Sequence, residues 1–307
     1  MLFFLYLDNS SISNMYKERF LNFLTFEKRF SAHTISAYAK EIDCLLDFII
    51  REDVKFEEVD YKLLRYYFST LKEVGKEAIS VNRSISAIKS YYKFLQREGI
   101  VLQNPVRLIK ALKTPKRLPI VVEKDKIVAL LENMEYTTES FEGQRDYVIM
   151  ELLFGTGIRL SELLKIKEKD VDIFNKKILI FGKRNKERFV PLHSTLLAEL
   201  KSYLVKKVDQ NFENKTEYLI VTKEGKPAYA KLIYRIVKNY LSMITSQKKR
   251  SPHILRHSFA TTLLDNGADL NAIKELLGHA GLAATQVYTH NSAERLKSIY
   301  KQAHPKA

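Results

Sequence analysis

The stretch HILRHSFATTLL, residues 253–264, gathers chemically active side chains at the start of a helical pattern. His253, Arg256 and His257 fall within five positions, and an apolar pattern follows them. The N-terminal end of a helix already carries a partial positive charge, so cations there are costly unless a negative group is close. The residue types therefore predict a site for an anion.

Two other kinds of site could use the same residues. Histidines four positions apart share a helix face and could bind zinc, but no glutamate follows His253, and Arg256 would place a fixed positive charge beside the metal. A hydrolase with Ser258 as nucleophile would need a nucleophile elbow or an oxyanion loop, and the sequence shows neither. We expect neither a metal nor a cofactor.

Further cations extend the predicted anion site. Arg159 follows a tight glycine turn in TGIRLSE, and Lys183 lies in the turn GKRNKE of a predicted hairpin. Two arginines can each fork onto the non-bridging oxygens of one phosphate, and a flexible lysine could reach a leaving oxygen. Each of these residues alone is more often an ordinary surface charge. Taken together they predict a site for a phosphodiester.

The segment LLGHAGLAATQVYTH, residues 276–290, supplies a candidate nucleophile. Tyr288 lies in a polar stretch after an apolar helix, nine residues past His279, where burial alone does not explain a tyrosine. A tyrosine hydroxyl has a pKa near 10, so attack near neutral pH needs cations or a base close by. The cations described above would provide them.

These motifs, TGIRLSE, GKRNKERFVPL, HILRHSFATTLLDNGADL and LLGHAGLAATQVYTH, together resemble the tyrosine recombinase (phage integrase) family, and most of all its Xer branch. The resemblance covers nearly all of the chain from about Met15. Glu162 matches a position that is commonly acidic in the family, whereas Thr262 stands where relatives often have a histidine. The resemblance assigns six catalytic positions: Arg159, Lys183, His253, Arg256, His279 and Tyr288.

The resemblance implies a mechanism and partners. Tyr288 would attack a DNA phosphate, giving a 3′-phosphotyrosyl enzyme and a free 5′-hydroxyl, and strand exchange would pass through a Holliday junction without metal or ATP. The expected partners are double-stranded DNA at a specific site and further protomers, in a homotetramer or in a heterotetramer with a second recombinase. A cell-division DNA translocase is a further candidate partner, and no membrane is expected.

The biological role is open at this point. The short chain and the end-to-end likeness to Xer proteins favour chromosome dimer resolution, and an integrase or transposase of a mobile element is the main alternative. A type IB topoisomerase uses similar chemistry, and a DNA-binding regulator could keep the fold without the activity. The tail, SAERLKSIYKQAHPKA, is amphipathic, and it would dock into a neighbouring protomer, as in relatives, or fold on its own domain.

The composition agrees with a DNA partner. The 307 residues carry a formal net charge of +15, most of it after residue 110, as suits a protein that binds a polyanion. The single cysteine, Cys44, excludes an intramolecular disulfide, and we expect it to be a buried helix residue in a reducing cytoplasm. The apolar start MLFFLYL is too short for a signal peptide, and no stretch reaches membrane-spanning length.

The elements that must position these residues are mainly helical. Apolar spacing predicts four helices near residues 15–28, 35–49, 61–73 and 80–98, with Ser80 as the N-cap of the last. In the second half, KILIF and RFVP predict a small antiparallel sheet, and helices are expected over 229–247, 253–264, 269–278 and 292–302. We expect the following organisation: 1–14, disordered or an extra segment; 15–104, a helical core DNA-binding domain; 105–119, a basic linker; 120–307, the catalytic domain.

Overall fold

The computed structural model describes residues 9–115, 121–135, 138–182, 187–213, 216–247, 249–278, 300 and 302–304. The chain divides into two compact units, Met1–Arg117 and Leu118–Ala307. Both are mainly helical, and the second contains a three-stranded antiparallel sheet. This confirms the predicted fold class.

The N-terminal unit is built on four α-helices among its described residues. They are α1 (Asn9–Asn22), α2 (Ala32–Arg51), α3 (Tyr61–Glu73) and α4 (Ala78–Arg97), with a π-helical turn at Phe23–Glu27. Side chains cap two of the starts: Ser31 accepts from the Thr34 amide and Asp60 from the Leu63 amide. The core is rich in aromatic rings, and Phe20 packs against both Tyr91 and Phe94.

Four details of this unit differ from the expectation. Helix α1 begins at Asn9, so residues 9–14, which were predicted to be disordered or an extra segment, are helical. Helix α4 begins after Glu77, so Ser80 is not its N-cap. Cys44 is partly rather than fully buried. The fourth difference is that part of the predicted linker packs on this unit.

The first part of the predicted linker belongs to the N-terminal unit. Val106 and Ile109 are buried in its core. The Asn82 side chain donates to the Leu112 carbonyl at 2.9 Å and accepts from the Leu112 amide at 2.7 Å. Buried apolar side chains and a partly buried pair of amide hydrogen bonds outweigh the charges and prolines that suggested a free tether, so residues 105–112 pack against α4.

The C-terminal unit surrounds a central helix. Its described elements are α5 (Lys124–Glu135), α6 (Phe141–Thr156), α7 (Leu160–Leu163), β1 (Val171–Asp172), β2 (Lys177–Phe181), β3 (Glu187–Pro191), α8 (Ser194–Asp209), α9 (Ala230–Ile244), α10 (Pro252–Asp265) and α11 (Leu270–Leu277). Helix α6 is buried along nearly its whole length. In the sheet, Ile178 pairs with Val190, and both face the core. Alternation along β3 therefore turns Arg188 inward as well.

The described part of the C-terminal tail packs on this same unit. The Tyr300 hydroxyl donates to the Gly155 carbonyl at 2.8 Å, and the Asn266 side chain donates to the Ala303 carbonyl at 2.9 Å. Tyr300, Ala303 and His304 are all buried. These contacts correspond to the tail folding on its own domain, whereas most of the predicted helix 292–302 lies outside the described residues. None of the described helices is long and apolar enough to cross a membrane.

Candidate active site

The turn between α6 and α7 fixes one side of the site. Gly157 ends α6 in the left-handed region, at φ +62°, which favours glycine. A Cβ atom at this position would lie 2.4 Å from Phe259 Cδ1 and 2.7 Å from Leu277 Cδ2. Both the backbone conformation and the close packing therefore require glycine. Arg159 follows two residues later.

Arg159 lies at the N-cap of α7 and is held by Glu162 in the first turn. The Glu162 carboxylate accepts from the Arg159 backbone amide and from its Nη1, both at 2.8 Å. The other terminal nitrogen, Nη2, donates to the Gly278 carbonyl at 3.0 Å. The Arg159 side chain remains 33% exposed, so a solvent-side ligand can reach it.

Arg256 comes from α10, which begins with a proline at its first turn. The side chain is buried, and its Nη1 and Nη2 donate to the carbonyls of Gly157 and Leu277 at 2.5 and 2.7 Å. Burial, and then the positive charge of Arg159, lower the pKa of Arg256 to about 10. The guanidinium is still protonated at neutral pH.

Arg188, on β3, joins this cluster and was not among the residues predicted from the sequence. Its Nη1 and Nη2 donate to the two carboxylate oxygens of Glu162 at 3.0 and 2.9 Å, and its Nε donates to the Leu276 carbonyl at 2.9 Å. The alternation of side chains along the strand could have identified this residue, because Arg188 shares the inward face with Val190. A buried arginine needs charged or polar partners, so a structural role at this position could have been predicted.

Three arginines thus hold the C-terminal end of α11. The carbonyls of Leu276, Leu277 and Gly278 accept from Arg188, Arg256 and Arg159, respectively. Carbonyls at the end of a helix lack intrahelical partners and carry its negative dipole end, so guanidinium groups suit them.

The cluster carries more positive than negative charge among the residues that the structure describes. Glu162 faces Arg159 and Arg188, whereas Arg256 is bound through backbone carbonyls. Burial raises the pKa of Glu162, but the hydrogen bonds and charge of Arg188, together with Arg159, outweigh burial and hold that pKa below its ordinary value. A surplus of desolvated cations next to an exposed arginine edge is suited to bind an anion.

His253 lies one turn before Arg256 on α10 and is exposed. Partial desolvation, and then the neighbouring His257, Arg256 and Arg159, lower the pKa of His253 below its ordinary value. The lowered pKa favours the neutral imidazole, which is able to accept a proton. This is the protonation state that a proton-transfer group near a tyrosine hydroxyl would need.

Ser258 has a structural contact instead of a catalytic setting. Its side chain is 1% exposed, and its hydroxyl oxygen accepts from the Val122 amide at 3.0 Å. Within the part of the chain that the structure describes, no group of three or more His, Cys, Asp or Glu side chains could hold a metal ion.

The structure thus brings together Arg159 and Arg256, and His253 lies close enough that the charges of both arginines lower its pKa. In the sequence, Lys183 falls between the end of β2 and the start of β3. Lys183, His279 and Tyr288 themselves lie outside the described residues.

Comparison with known families gives one match in each of the two compact units. The phage integrase family matches residues 121–295, and the phage integrase N-terminal SAM-like domain matches residues 18–99. A tyrosine recombinase XerD of Staphylococcus epidermidis is 37% identical over 294 residues, which cover 94% of this chain and 98% of the relative. A XerD of Staphylococcus aureus is 35% identical over 292 residues, with the same two coverages.

Solved structures with lower identity share the fold. A XerH site-specific recombinase bound to a palindromic difH substrate in a post-cleavage complex aligns with a TM-score of 0.77 and 20% identity, covering 95% of this chain and 96% of that chain. A lambda integrase dimer bound to a COC′ core site aligns with a TM-score of 0.65 and 18% identity, covering 89% of this chain and 98% of that chain.

Proposed function

Because the chain belongs to the phage integrase family of tyrosine recombinases, enzymes that cleave and rejoin DNA at specific sites, we propose that the arginine cluster binds the scissile phosphate. The observation that carries this proposal is the convergence of Arg159 and Arg256 on the end of α11, with more positive than negative charge among the described residues. A phosphoryl-transfer transition state gains negative charge on its equatorial oxygens. Preorganised guanidinium groups stabilise that charge without reorganising.

The proposed reaction is an in-line attack by Tyr288. Its hydroxyl oxygen forms a bond to phosphorus while the bond to the 5′-oxygen breaks, which leaves a 3′-phosphotyrosyl link and a free 5′-hydroxyl. The ester bond is kept in the link, so rejoining is the reverse reaction and needs no ATP. Arg159 and Arg256 would each bind a non-bridging oxygen, where two forked cations suit one phosphate.

The remaining roles concern protons and are also proposals. Lys183 would donate the proton that the leaving 5′-oxygen takes up, and His279 would hydrogen-bond the non-bridging oxygens. The neutral imidazole of His253, with its lowered pKa, would accept the proton of Tyr288. Loss of one direct phosphate donor should slow cleavage by roughly 10²–10³-fold, as with other preorganised oxyanion donors.

A suicide duplex tests this function. A nick beside the scissile phosphate lets the short 5′-hydroxyl product diffuse away, so the covalent adduct accumulates and can be counted on a denaturing gel. Tyr288→Phe should form no adduct and should still bind the duplex. Tyr234→Phe is the matched control, since Tyr234 is an exposed tyrosine on α9 of the same unit, and it should keep the wild-type rate. An adduct formed by Tyr288→Phe would refute the assignment.

We also propose a biological role in chromosome dimer resolution, supported by the XerD relatives that match nearly end to end. The proposed partners are a specific duplex site and a tetramer, either of this chain alone or with a second recombinase, and a cell-division DNA translocase as activator. A mobile-element role remains the alternative, and an integrase of the Tn1549 transposon shares the fold with a TM-score of 0.66 at 18% identity.

Mapping covalently bound DNA in cells separates these roles. A single chromosomal site near the replication terminus would support dimer resolution, whereas adducts at the ends of a mobile element would support the alternative. A type IB topoisomerase would instead relax supercoiled plasmid without recombining two target sites. That outcome would refute the recombinase role.

The domain boundaries enter the proposal as well. We propose that the helical N-terminal unit contacts the duplex and that the catalytic domain begins near residue 120, which agrees with the two family matches at 18–99 and 121–295. The tether between them would be shorter than residues 105–119, since residues 105–112 pack against α4.

A further inference from the structure

We propose that Arg188 is a positioning residue of the reaction, which acts by neutralising Glu162 so that Arg159 keeps its charge for the DNA phosphate. This inference rests on the proposed role of Arg159. Arg188 is 6% exposed and so does not present its own guanidinium to a ligand. Its effect on the phosphate would pass through Glu162 and through the end of α11.

The geometry places Arg188 between these two groups. Nη1 and Nη2 donate to separate oxygens of Glu162 at 3.0 and 2.9 Å, and Nε donates to the Leu276 carbonyl. Oxygen Oε1 of Glu162 accepts from Arg188 Nη1 and also from Arg159 Nη1 at 2.8 Å. One carboxylate oxygen is therefore shared by the two arginines.

The surroundings hold the Arg188 guanidinium in one place. Strand pairing sets its backbone opposite Ile180. A Cβ atom added to Gly278 would lie 3.0 Å from Arg188 Nη1 and 3.2 Å from its Cζ, so the guanidinium lies against the bare backbone of that glycine. Gly278 also supplies the carbonyl that binds Arg159 Nη2. Arg188 thus binds Glu162 and lies against Gly278, the two residues that accept hydrogen bonds from the Arg159 side chain.

Charge balance gives the mechanism. With Arg188 present, the negative charge of Glu162 is divided between two arginines, and Arg159 keeps a net share of its positive charge with a third of its side chain exposed. Without Arg188, Arg159 would be the only arginine among the described contacts that pairs with the Glu162 carboxylate, and its positive charge would be offset by the full negative charge of Glu162. The Arg159 guanidinium would then be neutralised and drawn toward Glu162, away from the phosphate.

This reasoning predicts rescue by a second substitution. Arg188→Met should slow adduct formation by about tenfold or more, a part of the roughly 10²–10³-fold loss expected for a direct donor. Glu162→Gln added to it removes the unbalanced charge but keeps an oxygen for the Arg159 amide. The double variant should therefore react about fivefold or more faster than Arg188→Met alone, within the range of coupling seen for neighbouring residues.

The assay is single-turnover adduct formation on the suicide duplex with protein in excess. The rate constant reports the chemistry, and the amplitude reports the folded, binding-competent fraction. Arg145→Met is the matched control, since Arg145 is also 6% exposed and donates twice to Asp146 in the same unit, at 2.9 and 2.8 Å. This control should lower the melting temperature and the amplitude but leave the rate constant unchanged. Arg188→Lys should stay slow, because one ammonium cannot reproduce the fork.

The outcomes separate the two proposals. A wild-type rate constant for Arg188→Met, or a double variant no faster than Arg188→Met, would overturn the role of Arg188 while wild-type adduct through Tyr288 stands. No adduct from the wild-type protein would instead overturn the proposed function. Duplex affinity within about threefold of wild type is expected for Arg188→Met, since Arg188 makes no phosphate contact of its own and the substitution weakens only the one contact proposed for Arg159.

Discussion

Gly157→Ala is the substitution with the clearest structural consequence near the site. The residue ends α6 at φ +62°, and its missing side chain is replaced by close packing of Phe259 and Leu277. Its carbonyl also accepts from Arg256. A methyl group here must strain the backbone, displace both neighbours and disturb the support of a proposed phosphate ligand.

The cost has two parts. Left-handed backbone costs a residue other than glycine about 1–2 kcal/mol. The methyl group would meet Phe259 Cδ1 at 2.4 Å and Leu277 Cδ2 at 2.7 Å, and both side chains are buried. Overpacking a tight core costs typically 1–3 kcal/mol, so the total loss in free energy of unfolding is about 2–5 kcal/mol.

Gly267→Ala is the matched control. Gly267 lies in the same unit at φ +82°, and a Cβ atom there would have no heavy atom within 4 Å. It should lose only the backbone part, about 1–2 kcal/mol. In urea denaturation, the unfolding transition of the C-terminal unit should give a clearly lower free energy of unfolding for Gly157→Ala than for Gly267→Ala. Adduct formation should slow only in Gly157→Ala. Equal losses of stability in the two variants would refute the packing argument.

Three further predictions concern neighbouring groups. Ser258→Ala should lose about 1–3 kcal/mol by leaving the buried Val122 amide without its acceptor, with the adduct rate constant unchanged; a lost adduct would restore Ser258 as a catalytic candidate. Because the pKa of His253 is lowered in the folded protein, its contribution to stability is present above about pH 6.5 and is lost as the pH falls through the folded-state pKa. The melting temperature of His253→Gln should therefore fall less between pH 7.5 and 5.5 than that of the wild type. Tyr300→Phe should lower the stability by about 1 kcal/mol through loss of the bond to the Gly155 carbonyl, and no change in thermal unfolding would argue against the docked tail.

The helices and the hairpin were predictable because their patterns are local. The spacing from Ile35 to Ile49 matches the buried face of α2, and KILIF and RFVP became β2 and β3. Arg159 and Arg256 were predicted as site residues for another reason, since each stands beside a glycine turn or a helix start that a motif marks. Hydrophobic periodicity and the residues that start or stop helices can be recognised in the sequence without knowledge of any tertiary contact.

The start of α4 shows where local preference gives way. Serine is a favoured N-cap, worth about 1 kcal/mol, yet the helix begins at Ala78 and places Ser80 inside its first turn. Val81, one residue later, is fully buried and is hydrogen-bonded through its amide to the Glu77 carbonyl. Burying a valine side chain contributes about 1.5–3 kcal/mol, so tertiary packing decides the boundary.

Arg188 could not be assigned a partner from sequence because its partner is Glu162, 26 positions earlier. The strand period indicates that it faces inward, but only the packed fold shows which carboxylate and which carbonyl it meets. Long-range pairing of polar groups is the part of a site that motifs do not encode.

The way the arginines are held also bears on how the site keeps its charge. Backbone carbonyls at the end of α11 fix Arg159 and Arg256 in place, and a carbonyl is neutral, so it orients a guanidinium without cancelling its charge. Glu162 is the exception among the described contacts, and it is the group that Arg188 pairs with. A site built to stabilise extra negative charge should be supported by neutral acceptors wherever possible and should offset any carboxylate it uses. On that reasoning, substitutions that reshape the end of α11 should slow phosphoryl transfer even when they leave every proposed catalytic side chain intact.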